Sequence, residues 1–227
     1  YNTYNAIQDK NLVDYQIVTM YVDNDYINET IKKNKYVNIN NLECVNSYYI
    51  SCAMLLLKAM KDGECHHLLT YHNSIKQSQE FKKVLDGLKE YYDKDIVTLN
   101  LTGTMNMSKR TSIINDFKEN KLSILTSARI LNEGINLPII DGVCFVDPRT
   151  SIIDTVQCIG RSLRKHDLKQ IAKIFVPIII DNINEIDETK TFGNIIKIIK
   201  AMSSTDTGIN DYFIDQKNGK QHDRKLI

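Results

Sequence analysis

From residue 66 onward, short uninterrupted apolar runs alternate with longer stretches of helical periodicity, and few architectures accommodate that alternation. The runs at 67–71, 96–101, 122–126, 143–146 and 171–180 are rich in Ile, Leu and Val and have the length of strands. A strand apolar at successive positions must be covered on both of its faces. Between the runs, 74–92 places Ile75, Phe81, Leu85 and Leu88 on one helical face, and Ser74 and Gln77 have capping-box spacing. Residues 108–120 set Ile113, Ile114 and Phe117 at helical intervals, and 152–163 follows Ser151, with Asp154 at the third position. Strict β/α alternation predicts an α/β fold, a mostly parallel sheet flanked by helices on both faces.

The flanks are less regular. A strand is expected at 15–22, a short helix at 26–33, a loop at 38–41 and a long helix at 42–61. Beyond 181 the polar stretch 182–188 precedes a helix at 189–202 with Phe192, Ile195, Ile196, Ile198 and Ile199. The charged tail 216–227 reads as a frayed or partly ordered terminus.

Composition removes several function classes. Hydrophobic residues make up 42% and charged residues 25%, as in ordinary globular proteins. No apolar run approaches the ~20 residues needed to span a bilayer, and residues 1–10 lack signal-peptide order, so the expected setting is cytoplasmic or nuclear, with no membrane partner. Five cysteines without a close C-x-x-C pair argue against a disulfide framework or structural zinc. His66 and His67, adjacent on a strand, would face opposite ways rather than share a metal. A formal charge of +1 excludes a wholly basic wrapper for nucleic acid, leaving local contacts.

Arginine usage is more informative. Only six of the 29 basic residues are arginines, and four of them, Arg129, Arg149, Arg161 and Arg164, fall within 36 positions. Such clustering suits forked recognition of phosphate or carboxylate. Around it, a buried strand is expected to end at Thr126 and pass into a polar turn, with Gly134 and Pro138 following. A second strand leads to Asp147-Pro148-Arg149, and Gln157, Gly160, Arg161 and Arg164 follow on a helix. Helical spacing would project Arg161 and Arg164 from one face. Such a pair could neutralise a transferring phosphoryl group or join a structural ion-pair network.

The order TSARILNEGINLP, DGVCFVDPRTS, QCIGRSLR resembles motifs V and VI of superfamily-two helicases, especially the branch with restriction-enzyme motors and viral and plasmid helicases. HHLLTYHNSIKQSQEF resembles motif IV and its helix, and LNLTGTMNMSKRTSIINDFKEN the following strand, Thr-Gly turn and helix. AIQDKNLVDYQIV resembles the lead-in to the second motor domain. The similarity spans roughly 6–180 and implies a RecA-like second motor domain. It divides the chain into a lead-in at 1–41, the domain at 42–181, and a helical extension with a charged tail at 182–227.

In that family ATP with Mg2+ lies between two RecA-like domains, bound chiefly by the N-terminal one. The resemblance makes Arg161 and Arg164 arginine fingers and puts Gln157 near the γ-phosphate. Glu133, Gly134 and Asn136 match motif V positions at the nucleotide, where relatives more often carry Asp than Asn at the last. Cys158 stands where many relatives have a third arginine. Tyr71, Asn73, Ser74, Thr102, Gly103 and Thr126 match positions that hold the backbone of DNA or RNA. Neither G-x-x-x-x-G-K-[ST] nor D-E-x-[DH] occurs, so this chain is expected to hold half of a composite ATPase site and to be inactive alone. The alternative is a non-catalytic nucleic-acid-binding module on the same fold.

Overall fold

Every strand pairing in the structure, a computed structural model, is parallel. It describes residues 2–23, 47–128, 136–147, 151–180, 193–221, 224 and 226. Strands β1 (Asp14–Asp23), β2 (His67–His72), β3 (Val97–Leu101), β4 (Ser123–Ala128), β5 (Gly142–Phe145) and β6 (Ile171–Ile180) form one sheet, ordered β1-β6-β5-β2-β4-β3. The described helices are α1 (Thr3–Gln8), α2 (Ser47–Lys61), α3 (Ile75–Leu88), α4 (Met107–Glu119), α5 (Ile152–Ser162), α6 (Gly193–Ser203) and α7 (Gly208–Lys217). The parallel α/β sheet expected from the apolar runs is the one found. The calls at 26–33 and 38–41 lie outside the described residues, as do Arg129, Glu133, Gly134, Pro148 and Arg149.

Alternation along each strand divides two cores. On one face Leu69, Tyr71, Leu125, Val143, Phe145, Ile174 and Val176 pack with Phe117 of α4, Cys158 and Ile159 of α5, and Met202 of α6. On the other, Leu68, Ile124, Cys144 and Phe175 pack against Leu56 and Leu57 of α2 and Phe81 and Leu85 of α3. All residues of β2, β4 and β5 are buried, which explains why these strands read as unbroken apolar runs.

Local chemistry sets the helix starts. Ser74 Oγ accepts from the Gln77 N–H at 3.2 Å and donates to Gln77 Oε1 at 2.8 Å, so the expected cap forms, though the glutamine reaches the serine hydroxyl rather than its N–H. Asn106 opens α4, accepting from Lys109 N–H, and Ser151 opens α5, accepting from Asp154 N–H at 3.2 Å.

Strand β1 belongs to the sheet from end to end, in register with β6 from Asp14↔Ile171 to Asp23↔Ile180. The tail corrects an expectation. Far from fraying, it returns to β1: the Ile17 N–H donates to Leu226 O at 2.7 Å, and Leu226 is buried. Arg224 forks onto Asp14 at 2.6 and 3.0 Å and onto Asp206 at 3.0 and 3.2 Å. Tyr15 Oη donates to Asp206 at 2.8 Å, and the Arg224 guanidinium lies 5.3 Å from the Tyr15 ring centre. One of the tail's charges, on Arg224, is thus held between a carboxylate 18 residues away and another 210 residues away.

Candidate nucleotide and nucleic-acid site

The chain leaves β2 toward one face and β3 and β5 toward the other. Helix α3 packs on the Leu68 side, whereas α4 and α5 pack on the Leu69 side. Crossovers that diverge in this way leave a crevice beyond the C-terminal ends of the strands, where open α/β sheets bind ligands. That rim carries the turn after β2, the turn after β3 and the end of β5. The N-termini of α3 and α4 open there too, with the positive ends of their dipoles suited to phosphate.

Asp147, just past β5, ties this rim together. Its carboxylate accepts from Tyr49 Oη of α2 at 2.8 Å and from the Asn73 N–H at 3.1 Å, and His72 Nδ1 lies 3.4 Å away. Burial pushes the carboxyl pKa up, but the bonds from His72, the Asn73 N–H and Tyr49 outweigh it and hold the group below its ordinary value. A depressed carboxylate pKa stabilises the fold above the unfolded-state value, and that stabilisation is lost as pH falls through the folded-state value. We therefore expect Asp147→Asn to destabilise the domain by about 2 kcal/mol at pH 7. The gap to the parent chain should shrink below pH ~4, as urea unfolding across pH would show.

The six residues expected at nucleic acid are divided by the structure. Asn73, Ser74 and Gly103 are exposed at the rim. Tyr71, Thr102 and Thr126 are buried. Tyr71 stacks on Phe145 with 5.2 Å between ring centres and donates to Cys158 O. The Thr126 hydroxyl accepts from Asn100 Nδ2 at 2.8 Å and lies 3.2 Å from Leu99 O. Thr102 and Thr104 share a hydroxyl contact at 3.1 Å. Of the six, Asn73, Ser74 and Gly103 alone present themselves to solvent at the rim, and Tyr71, Thr102 and Thr126 lie buried beneath them. Arg110 of α4 shapes the second turn, its guanidinium donating to Gly103 O and Met105 O.

The arginines lie at the other end of the domain. Helix α5 starts near the C-terminal rim and runs back across the sheet for roughly 16 Å, at 1.5 Å per residue. Gln157 is exposed on it and Arg161 is half-buried near its end. Arg164 departs from the expected helical face, because α5 ends at Ser162. The reason is a long-range backbone contact: Val13 N–H donates to Leu163 O at 2.8 Å, drawing the backbone into a bridge between Leu12 and Arg164. There the exposed Arg164 side chain meets motif V, with Nη1 2.5 Å from Asn136 Oδ1. A Cβ built on Gly160 meets no atom within 4 Å. A mid-helix glycine costs about 1 kcal/mol against alanine, and nothing in the described chain repays it. Asp147, Arg110 and Lys169 (whose Nζ donates to Ser162 O at 2.7 Å) carry supporting roles that motif reasoning passed over.

Residues 50–166, just over half of the chain, match the helicase conserved C-terminal domain, and the chain belongs to that family. A protein of African swine fever virus named as a helicase is 27% identical over 149 residues, 65% of this chain and 16% of its own length. An Acanthamoeba polyphaga mimivirus protein named as an ATP-dependent RNA helicase is 25% identical over 162 residues, 69% of this chain and 30% of its own. The chain thus spans well under half the length of these relatives. The ATP-dependent Type ISP restriction-modification enzyme LlaBIII, solved bound to DNA, superposes on the whole chain with a TM-score of 0.80 at 22% identity, using 16% of its own length. The E. coli DEAD-box protein SrmB, solved with a regulator of ribonuclease activity, gives 0.52 at 16% identity, over 80% of this chain and 84% of its own. The fold is RecA-like, and the helicase resemblance read from the motifs is upheld by the family match and the viral relatives. Among the described residues, no helix is long and apolar enough to cross a membrane.

Proposed function

We propose that this chain is the second motor domain of an intracellular ATP-dependent nucleic-acid helicase or translocase. It supplies Arg161 and Arg164 to ATP and Mg2+ held chiefly by a first RecA-like domain of the same polypeptide. The observation that carries the reading is the meeting of the ends of motifs V and VI, Asn136 Oδ1 against Arg164 Nη1 at 2.5 Å. Four residues before Arg164, Gly160 leaves room for a side chain, since a Cβ there would meet nothing within 4 Å beyond its own helix. An exposed forked cation next to a glycine-smoothed helix suits a partner surface bearing a triphosphate. In such a cleft the guanidinium groups stabilise charge developing on the transferring phosphoryl group. Gln157, on the same helix, serves the γ-phosphate, and Glu133 and Gly134 join Asn136 at the nucleotide.

The opposite rim serves the nucleic acid. Asn73, Ser74 and Gly103 contact backbone phosphates, giving affinity without sequence reading. Domain closure on ATP would then shift the rim along the strand while α5 brings its arginines to the nucleotide. Two preparations test this reading: the chain alone, and a chain extended to carry both motor domains. Nucleic-acid-stimulated ATP hydrolysis is expected only from the second. No hydrolysis from an extended chain with an intact phosphate-binding loop would leave the non-catalytic binding module as the better reading.

A further inference from the structure

We propose that Lys169 is a positioning residue for the arginine end of α5, holding Arg164 against Asn136; this rests on the role given to Arg164 above. Lys169 is only 7% exposed, yet its nearest acceptors are backbone oxygens. Nζ donates to Pro138 O at 2.7 Å, Ile140 O at 2.9 Å and Ser162 O at 2.7 Å. An ammonium has three N–H donors, and here each has one carbonyl.

The positions of those carbonyls give the lysine its role. Pro138 and Ile140 lie in the segment that leads from Asn136 into β5, while Ser162 is the last residue of α5. The Ser162 carbonyl is among those a helix end leaves without an intrahelical partner, and a cation there suits the negative end of the dipole. Asn136 lies two residues before Pro138, and Arg164 two residues after Ser162. One nitrogen bonded to both carbonyls therefore keeps the two side chains within reach of each other. The lysine is itself fixed, since its N–H donates to His166 O at 2.9 Å and closes the 166–169 turn. The Asp141 carboxylate oxygens accept from the His66 and His67 N–H groups. A neutral amide or thioether at 169 cannot satisfy three acceptors, and motif V would loosen from motif VI.

Lys169→Met and Lys169→Gln, made in a chain carrying both motor domains, test this alone and with Arg164→Ala. Nucleic-acid-stimulated kcat, measured per folded molecule by circular dichroism, should fall about tenfold or more, since displacements near 1 Å at a reacting centre cost on that order. Nucleic-acid Kd should stay within about twofold. With Arg164→Ala already present, the same substitutions should change kcat by less than about twofold, because no guanidinium remains to be placed. Equal proportional losses in both backgrounds would make Lys169 a fold determinant only and overturn the proposal. Unchanged kcat, or failure of both variants to fold, would overturn it as well. An Arg164→Ala chain with normal ATPase would instead reject the finger reading itself.

Discussion

In a chain that carries both motor domains, Arg164→Ala should lower nucleic-acid-stimulated ATP hydrolysis about a thousandfold, the low end for removal of an arginine finger. The size follows from where the residue stands. Arg164 is exposed, and its Nη1 donates to Asn136 Oδ1 at 2.5 Å. Its removal should change unfolding stability by no more than about 0.5 kcal/mol, as for most surface substitutions. A large catalytic loss with an unchanged melting temperature would separate a finger from a strut. Arg164→Lys should restore little, since an ammonium cannot contact Asn136 and a phosphoryl oxygen with one planar fork. Arg161→Ala should also depress kcat, but being half-buried near the helix end it should cost some stability too. Steady-state ATPase assays at saturating nucleic acid decide the matter. Near-normal rates in both variants would exclude the finger role.

The largest stability effect should come from Arg224→Ala. Asp206 has no solvent exposure, and the guanidinium that forks onto it also forks onto Asp14. Without that cation Asp206 keeps the bond from Tyr15 Oη and one from the Gly208 N–H, but its charge stays buried without a counter-ion. Breaking a buried ion pair from one side costs about 3–5 kcal/mol. That is a large share of the 5–15 kcal/mol that holds an ordinary domain folded. The urea midpoint should fall accordingly. A shift below about 1 kcal/mol would mean that the tail contributes little to the fold.

How much of this was legible in the residues depends on how local its cause is. The runs that became β2, β4 and β5 were legible because burial on both faces favours successive apolar residues. The starts of α3 and α5 were legible because Ser74 and Ser151 sit within three residues of the N–H groups they cap. Non-local causes stayed hidden. The docked tail depends on Asp14 and Asp206, which no pattern near Arg224 announces. Lys169 bonds to backbone oxygens, which every residue carries and which therefore leave no signature.

The candidate site divides in the same way. Its residue types and order were readable from the helicase motifs, but their exposure was not. Thr126 matches a phosphate-holding position, and its burial under Asn100 becomes visible only once β3 is known to lie beside β4. The helical spacing of Arg161 and Arg164 failed for a comparable reason, since the bond that ends α5 comes from Val13, about 150 positions earlier.

The pairing of β1 with β6 bears on the order in which the domain can be completed. Asp14 finds its strand partner at Ile171, and on the outer edge the Ile17 N–H finds Leu226 O. During synthesis at roughly 5–20 residues per second, β1 waits on the order of ten seconds for its neighbour to emerge. Through that interval a strand rich in Tyr, Ile and Val has neither edge occupied and is open to mispairing with other chains. The inner strands meet their neighbours much sooner. The sheet is thus completed from the middle outward, and β1, although it precedes every other strand described, is among the last to be secured.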